Sequence, residues 1–203
     1  AGFFHALGKA VSVLRRGGAG WALVGAVDSL CDLVSLKALV EADRVLSRRN
    51  VDGIVPGEGA AFLLLTSERA PSKRALGHIM ELALETDAEP SATHEAVSTA
   101  TGLTQIMATL RSLHPGLRVD HAFSCHSPQR FWARELVQAY LRNAELFPEP
   151  FVVNHAGEFL GELGAASGAI QTVRALATTV ERPGTSLIFG ASDHGQIGAC
   201  LTE

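Results

Sequence analysis

The chain reads as a layered α/β protein. Apolar runs of strand length alternate along it with stretches of helical period. Two Gly/Ala-rich turns, Pro56-Gly57-Glu58-Gly59-Ala60-Ala61 and Gly161-Glu162-Leu163-Gly164-Ala165-Ala166-Ser167-Gly168, each lead straight into such an element. No low-complexity tract or domain linker interrupts the pattern, so the 203 residues form a single region.

The elements follow in order. Phe3, Leu7, Ala10, Val11 and Leu14 fall at helical spacing over residues 3–16, and Arg15-Arg16-Gly17-Gly18 supplies cations and a glycine stop. Trp21 to Val27 is a continuous apolar run, expected as a strand buried on both faces. Leu33 to Leu46 is expected as a helix, with Lys37 and Glu41 four apart. A loop over 48–59 enters a strand over 60–66, and 67–74 is a polar link. A strand over 77–84, a turn over 87–91 and a long helix over 93–113 come next. Strand 117–125, helix 131–143, a short strand 151–153 and a small-residue helix 164–180 follow. Strands 186–189 and 199–202 close the chain as a hairpin.

Composition narrows the function. At 47% hydrophobic and 19% charged, with a net charge of −4, the chain has neither the basic footprint of a nucleic-acid binder nor a polybasic membrane surface. No apolar run has the length of a membrane span. Cys31, Cys125 and Cys200 are odd in number and far apart, which suits reduced thiols and a cytoplasmic location. No CxxC or HxxxH spacing points to a metal, and nothing calls for a cofactor.

The order and spacing of the two glycine turns resemble those of the β-ketoacyl synthases, a thiolase-fold family. Val51-Asp52-Gly53-Ile54-Val55-Pro56-Gly57-Glu58-Gly59-Ala60 is similar to that family's "DGFVPGEGAG". Leu14 to Ser29 is similar to the helix and strand that follow its nucleophile, and Phe189-Gly190 to Gly195 to its closing Gly-rich loop. The resemblance covers nearly the whole chain. It implies an incomplete thiolase-like layered α/β fold: the last helix and strand of the first half, then the second half. It further implies decarboxylative condensation of acyl thioesters in fatty acid or polyketide-type synthesis. The implied partners are an upstream half of the same fold, on the same or a separate chain, an acyl carrier protein or coenzyme A thioester, and a second copy in a homodimer. Counted along the family pattern, the nucleophilic cysteine falls just before Ala1.

The family's two histidine motifs are altered here. Where "HGTGT" is expected stands Ser124-Cys125-His126-Ser127, so the matching position is Ser124, Cys125 or His126. Either His126 donates to a thioester carbonyl, or it is a solvated loop residue. Where "GHTLGAAG" is expected, Gly161 is followed by Glu162, which either serves as a base or caps the helix starting at Gly164. The family's lysine has no counterpart over residues 154–160. His126 and Glu162 are the catalytic candidates, and Cys125, His155, Gly190 and His194 the pocket candidates. Phe131-Trp132 with Arg130 and Arg134 is either a carrier-protein patch or two ring anchors of an amphipathic helix. The altered motifs favour a rival reading: a non-catalytic thiolase-fold subunit that shapes the pocket or the dimer of an active partner.

Overall fold

Four layers organise the computed structural model, which describes residues 1–67, 74–86, 99–127 and 129–203. The elements are α1 (Gly2–Arg15), β1 (Trp21–Ser29), α2 (Leu33–Glu41), β2 (Glu58–Thr66), β3 (Ile79–Thr86), α3 (Thr101–Leu113), β4 (His121–Ser124), α4 (Arg130–Arg142), β5 (Val153–His155), α5 (Gly157–Leu160), α6 (Ser167–Glu181), β6 (Ser186–Ala191) and β7 (Gln196–Thr202).

β1 and β2 pair antiparallel, Val24 opposite Leu63, as a sheet of their own. The other five strands form a mixed sheet in the order β3-β7-β6-β4-β5, with β4 parallel to both β6 and β5. Helices α1 and α6 lie between the two sheets, and α3 and α4 cover the far face of the larger one.

Side-chain alternation in the closing hairpin ties the layers together. Leu187, Phe189, Ile197, Ala199 and Leu201 pack toward Leu103, Ile106, Met107 and Leu110 of α3. Ile188 and Cys200 point the other way, toward Phe3, Phe4 and Leu7 of α1 and Ala169 and Leu176 of α6. Close approach explains two glycines in this middle layer. A Cβ on Gly198 would sit 2.6 Å from the Phe4 ring, and one on Gly168 would sit 2.8 Å from Phe3.

Several expected boundaries move. The first sheet contains two strands of this chain, since β2 pairs with β1 rather than joining the larger sheet. β1 is buried on one face only: Val24 faces α1 and α6, while Trp21, Leu23 and Val27 on the other face are 60–66% exposed, as are Phe62 and Leu64 of β2 at 57% and 66%. The expected double burial therefore fails within this chain, because no described element packs on the outside of that sheet. α2 stops at Glu41, where Asp43 takes φ +49° and Val45 bridges Ile54. Its N-terminus is capped by Asp32, whose carboxylate accepts from Val34 N and Ser35 N, and its pKa is held below the usual value first by the Ser35 side chain and then by these backbone bonds. β4 is shorter than expected because Val119 N donates to Leu146 O and Asp120 N to Thr185 O, outside the ladder. The short strand moves to 153–155, in register with Ala122–Ser124. α3 begins at Thr101 after Ala100 at φ +52°. The start expected at 93, the 87–91 turn and most of the polar link lie outside the described residues.

Candidate active site

The two glycine turns dock on each other. Glu162 N donates to Val55 O at 2.7 Å and Gly57 N donates to Glu162 O at 2.9 Å, a parallel bridge between Pro56 and Glu162. Backbones this close leave no room for side chains. A Cβ on Gly57 would lie 2.3 Å from Leu160 O; one on Gly161, at φ +74°, would lie 2.7 Å from Val55 O. From the end of β1, Asp28 adds a side-chain clamp, its Oδ2 accepting from Ala165 N at 2.7 Å.

This docking brings Glu162 against the C-terminal end of β4. Ser127 N and Ser127 Oγ both donate to Glu162 Oε2, at 3.1 and 2.7 Å. Glu162 Oε1 has only a 3.5 Å contact with Ser167 Oγ. The capping expectation for Glu162 is thereby corrected. α6 begins at Ser167, not Gly164, and has no side-chain cap, because the carboxylate is turned to the Ser127 donors instead.

Beside it, β4 and β5 run parallel, Ser124 opposite His155. Their ends are joined by Gln171, fully buried on α6, whose Nε2 donates to Ser124 O and to Asn154 O at 3.1 Å. His155 Nδ1 donates to His126 O at 3.0 Å, which sets its tautomer when neutral and leaves Nε2 as an acceptor. Ala191 N donates to His126 Nε2 at 2.7 Å, so in the neutral ring the proton sits on Nδ1. The His126 ring stacks on Trp132 of α4, centroids 3.8 Å apart at 7°.

Burial decides the charge states. It pushes the Cys125 thiol up to about 12, with an added push from Glu162. Burial also takes His126 down to about 3, helped by His155. At neutral pH Cys125 is a thiol and His126 a neutral ring. Ala1, at the start of α1, lies near both side chains.

Cys125, His126, His155 and Glu162 thus converge at one end of the parallel strand pair. Gly190 lines the same spot, where a Cβ would meet Cys125 Cβ at 2.6 Å. His194 lies apart and exposed in the β6–β7 turn, next to Asp193, which pairs with Arg44 at 2.8 Å. Trp132 belongs to the wall of the cluster through its stack on His126, with Phe131 edge-on to it at 4.7 Å, as the ring-anchor reading expects, while Arg130 and Arg134 on the same helix are exposed. Sequence reasoning did not single out Ser127, Gln171 or Asp28. Gln171 did leave a signal: it sits three residues after Gly168 and four before Ala175, a polar residue on a small apolar helix face. No group of three or more His, Cys, Asp or Glu side chains among the described residues is placed to hold a metal. No helix among them is long and apolar enough to cross a membrane.

Comparisons with known proteins converge on one fold. Residues 1–70 match the family model of the β-ketoacyl synthase N-terminal domain. No curated protein sequence matches the chain. Among solved structures, a type II polyketide ketosynthase in complex with its acyl-carrier protein and bound to the hexaketide superposes with a TM-score of 0.85 at 16% identity, over 98% of this chain and 60% of that one. The ketosynthase from module 6 of the bacillaene synthase of Bacillus subtilis gives 0.81 at 17%, over 99% and 45%. The ishigamide ketosynthase/chain length factor gives 0.69 at 20%, over 98% and 53%. The chain thus spans about half the length of the structures it matches. At such identities the likeness is one of fold, and it covers the thiolase-like layers described above. By family model over its first 70 residues, and by fold along its length, the chain is β-ketoacyl synthase-like.

Proposed function

We propose that this chain forms the larger part of an acyl-thioester site in a β-ketoacyl synthase-like protein, and that the site recognises the acyl thioester without itself carrying out decarboxylative condensation. The carrying observation is Glu162, held by Ser127 where the resemblance calls for a histidine donor. Condensation needs donors aimed at the carbonyl oxygen that becomes an enolate. An ionised carboxylate only accepts. His126 offers no more at Nε2, which already accepts from Ala191 N. The reading extends to the partners: an acyl group borne by carrier protein or coenzyme A, and a partner half of the same fold over the exposed outer face of β1 and β2. The free thiols Cys31, Cys125 and Cys200 suit a reducing cytoplasm. A homodimer remains part of the proposal.

The test is incubation of the purified protein with acyl- and malonyl-carrier protein, following complex formation by fluorescence anisotropy and products by mass spectrometry. Carrier binding without β-ketoacyl product is expected. Turnover to that product would instead establish a condensing synthase of fatty acid or polyketide-type synthesis. That second reading is favoured by the convergence of Cys125, His126 and Glu162 with the first turn of α1, and His126 Nδ1 would then be the donor.

A further inference from the structure

We propose that the Glu162 carboxylate makes this site selective for thioesters with an uncharged acyl chain and turns away those ending in a free carboxylate, such as malonyl thioesters, with Ser127 acting as the residue that positions Glu162. The inference rests on the acyl-thioester reading of the site given above.

Four observations carry it. First, Ser127 is only 7% exposed and directs two donors, its N–H and its O–H, at the single oxygen Glu162 Oε2. Two donors on one oxygen fix the orientation of the carboxylate. Second, the arrangement is sterically committed: a Cβ on Gly157 would fall 2.6 Å from Ser127 Oγ, so this glycine leaves the room in which the hydroxyl sits. Third, among the described residues Oε1 has no bond shorter than the 3.5 Å contact from Ser167 Oγ, so it is held far less tightly than Oε2. Fourth, no cationic side chain among the described residues bonds to Glu162. Arg174, one turn beyond Gln171, spends Nη1 on Gln171 Oε1 at 2.8 Å and lies 5.9 Å from the centre of the Phe123 ring.

A malonyl group carries its carboxylate two carbons from the thioester carbonyl. Wherever that carbonyl enters the cluster, the second anion comes within a few ångströms of the first, in surroundings drier than bulk water, where like charges repel most strongly. An uncharged chain of similar length meets no such opposition, and the stacked Trp132 and His126 rings offer it an apolar wall.

The experiment compares butyryl-coenzyme A with malonyl-coenzyme A, close in size and different in charge, by isothermal titration calorimetry on the full-length protein. The wild type is expected to bind the butyryl thioester at least about tenfold more tightly than the malonyl thioester. Glu162→Gln, which keeps the shape and an acceptor for Ser127, is expected to bring the two within about twofold, through tighter malonyl binding. Ser127→Ala, checked for fold by circular dichroism, is expected to narrow the ratio partway, because Glu162 then loses the two donors that fix its position. Equal affinities in the wild type, or a preference that persists in Glu162→Gln, would overturn the proposal while leaving the acyl-thioester reading standing. Failure of both thioesters to bind would overturn that reading and this inference with it.

Discussion

Burial displaces the protonation of two neighbouring residues at the end of β4. Cys125, pushed up to about 12 by burial, carries no thiolate at pH 8. Alkylation by iodoacetamide followed by peptide mapping is therefore expected to modify exposed Cys31 quickly and to spare Cys125 and buried Cys200; labelling of Cys125 at a rate comparable with Cys31 would contradict the described packing. His126 gives a pH signature. Its folded-state value, about 3, lies below the ordinary 6.5, so between those two values the unfolded chain binds the extra proton and the folded one does not. Its contribution to stability is full above about pH 6.5 and is lost as pH falls toward 3. Thermal unfolding followed from pH 7.5 to 4 should show a fall in Tm that is shallower in His126→Asn. Little of this was legible beforehand. The sequence places a cysteine and a histidine near an altered motif, but their protonation depends on how deeply the 124–127 segment is covered by α4, the β6–β7 hairpin and the Glu162 turn, none of which is adjacent in the chain. Glu162 illustrates the same limit. Proximity in sequence suggested a cap for α6, and a partner 35 residues upstream claimed the carboxylate instead.

At the scale of elements, the glycine turns were legible as turns and not as each other's binding surface. Periodicity reports which face of an element is buried; it does not report that the Pro56–Gly59 backbone lies on the Gly161–Glu162 backbone. That contact makes a graded prediction possible. Gly161→Ala combines φ +74° with a Cβ only 2.7 Å from Val55 O, whereas Gly116→Ala, at φ +81°, meets nothing within 4 Å. The open position should cost about 1 kcal/mol and the docked one about 3 kcal/mol or more in chemical denaturation. Equal costs would mean that the turns separate readily. Helices α1, α4 and α6 and the closing hairpin were read to within about three residues, since their apolar patterns are long and strongly periodic, whereas α2 was overrun by five residues. β4 and β5 were misplaced by two to four residues because only the parallel register Ser124 opposite His155 decides where such short strands begin. That register rests partly on Gln171. Gln171→Leu would leave Ser124 O and Asn154 O without this donor in a buried setting, a loss of about 1–3 kcal/mol.

At the scale of the molecule, the outer face of the β1–β2 sheet is the exposed surface that matters most. Trp21, Leu23, Val27, Phe62 and Leu64 are each more than half exposed and share that face. Residues 1–203 alone are expected to self-associate in sedimentation, and Leu23→Lys with Phe62→Lys is expected to shift them toward monomer. A monodisperse wild-type monomer would show that this face tolerates water. Trp21 is a built-in reporter, since its emission should move to shorter wavelength when a partner half covers it. The placement of α6 between the two sheets has a different consequence, for the order in which the molecule comes apart. A helix packed between two sheets, with only its Val173–Val180 edge in water, loses about half its contacts when either sheet is shed. Amide protons of Ala169, Thr172 and Ala175 should then exchange only when the entire chain opens, at one shared rate, while those of solvent-facing α2 exchange through small local fluctuations. Unfolding would be all-or-none from its middle outward, and the slowest-exchanging amides would map a single helix rather than a sheet.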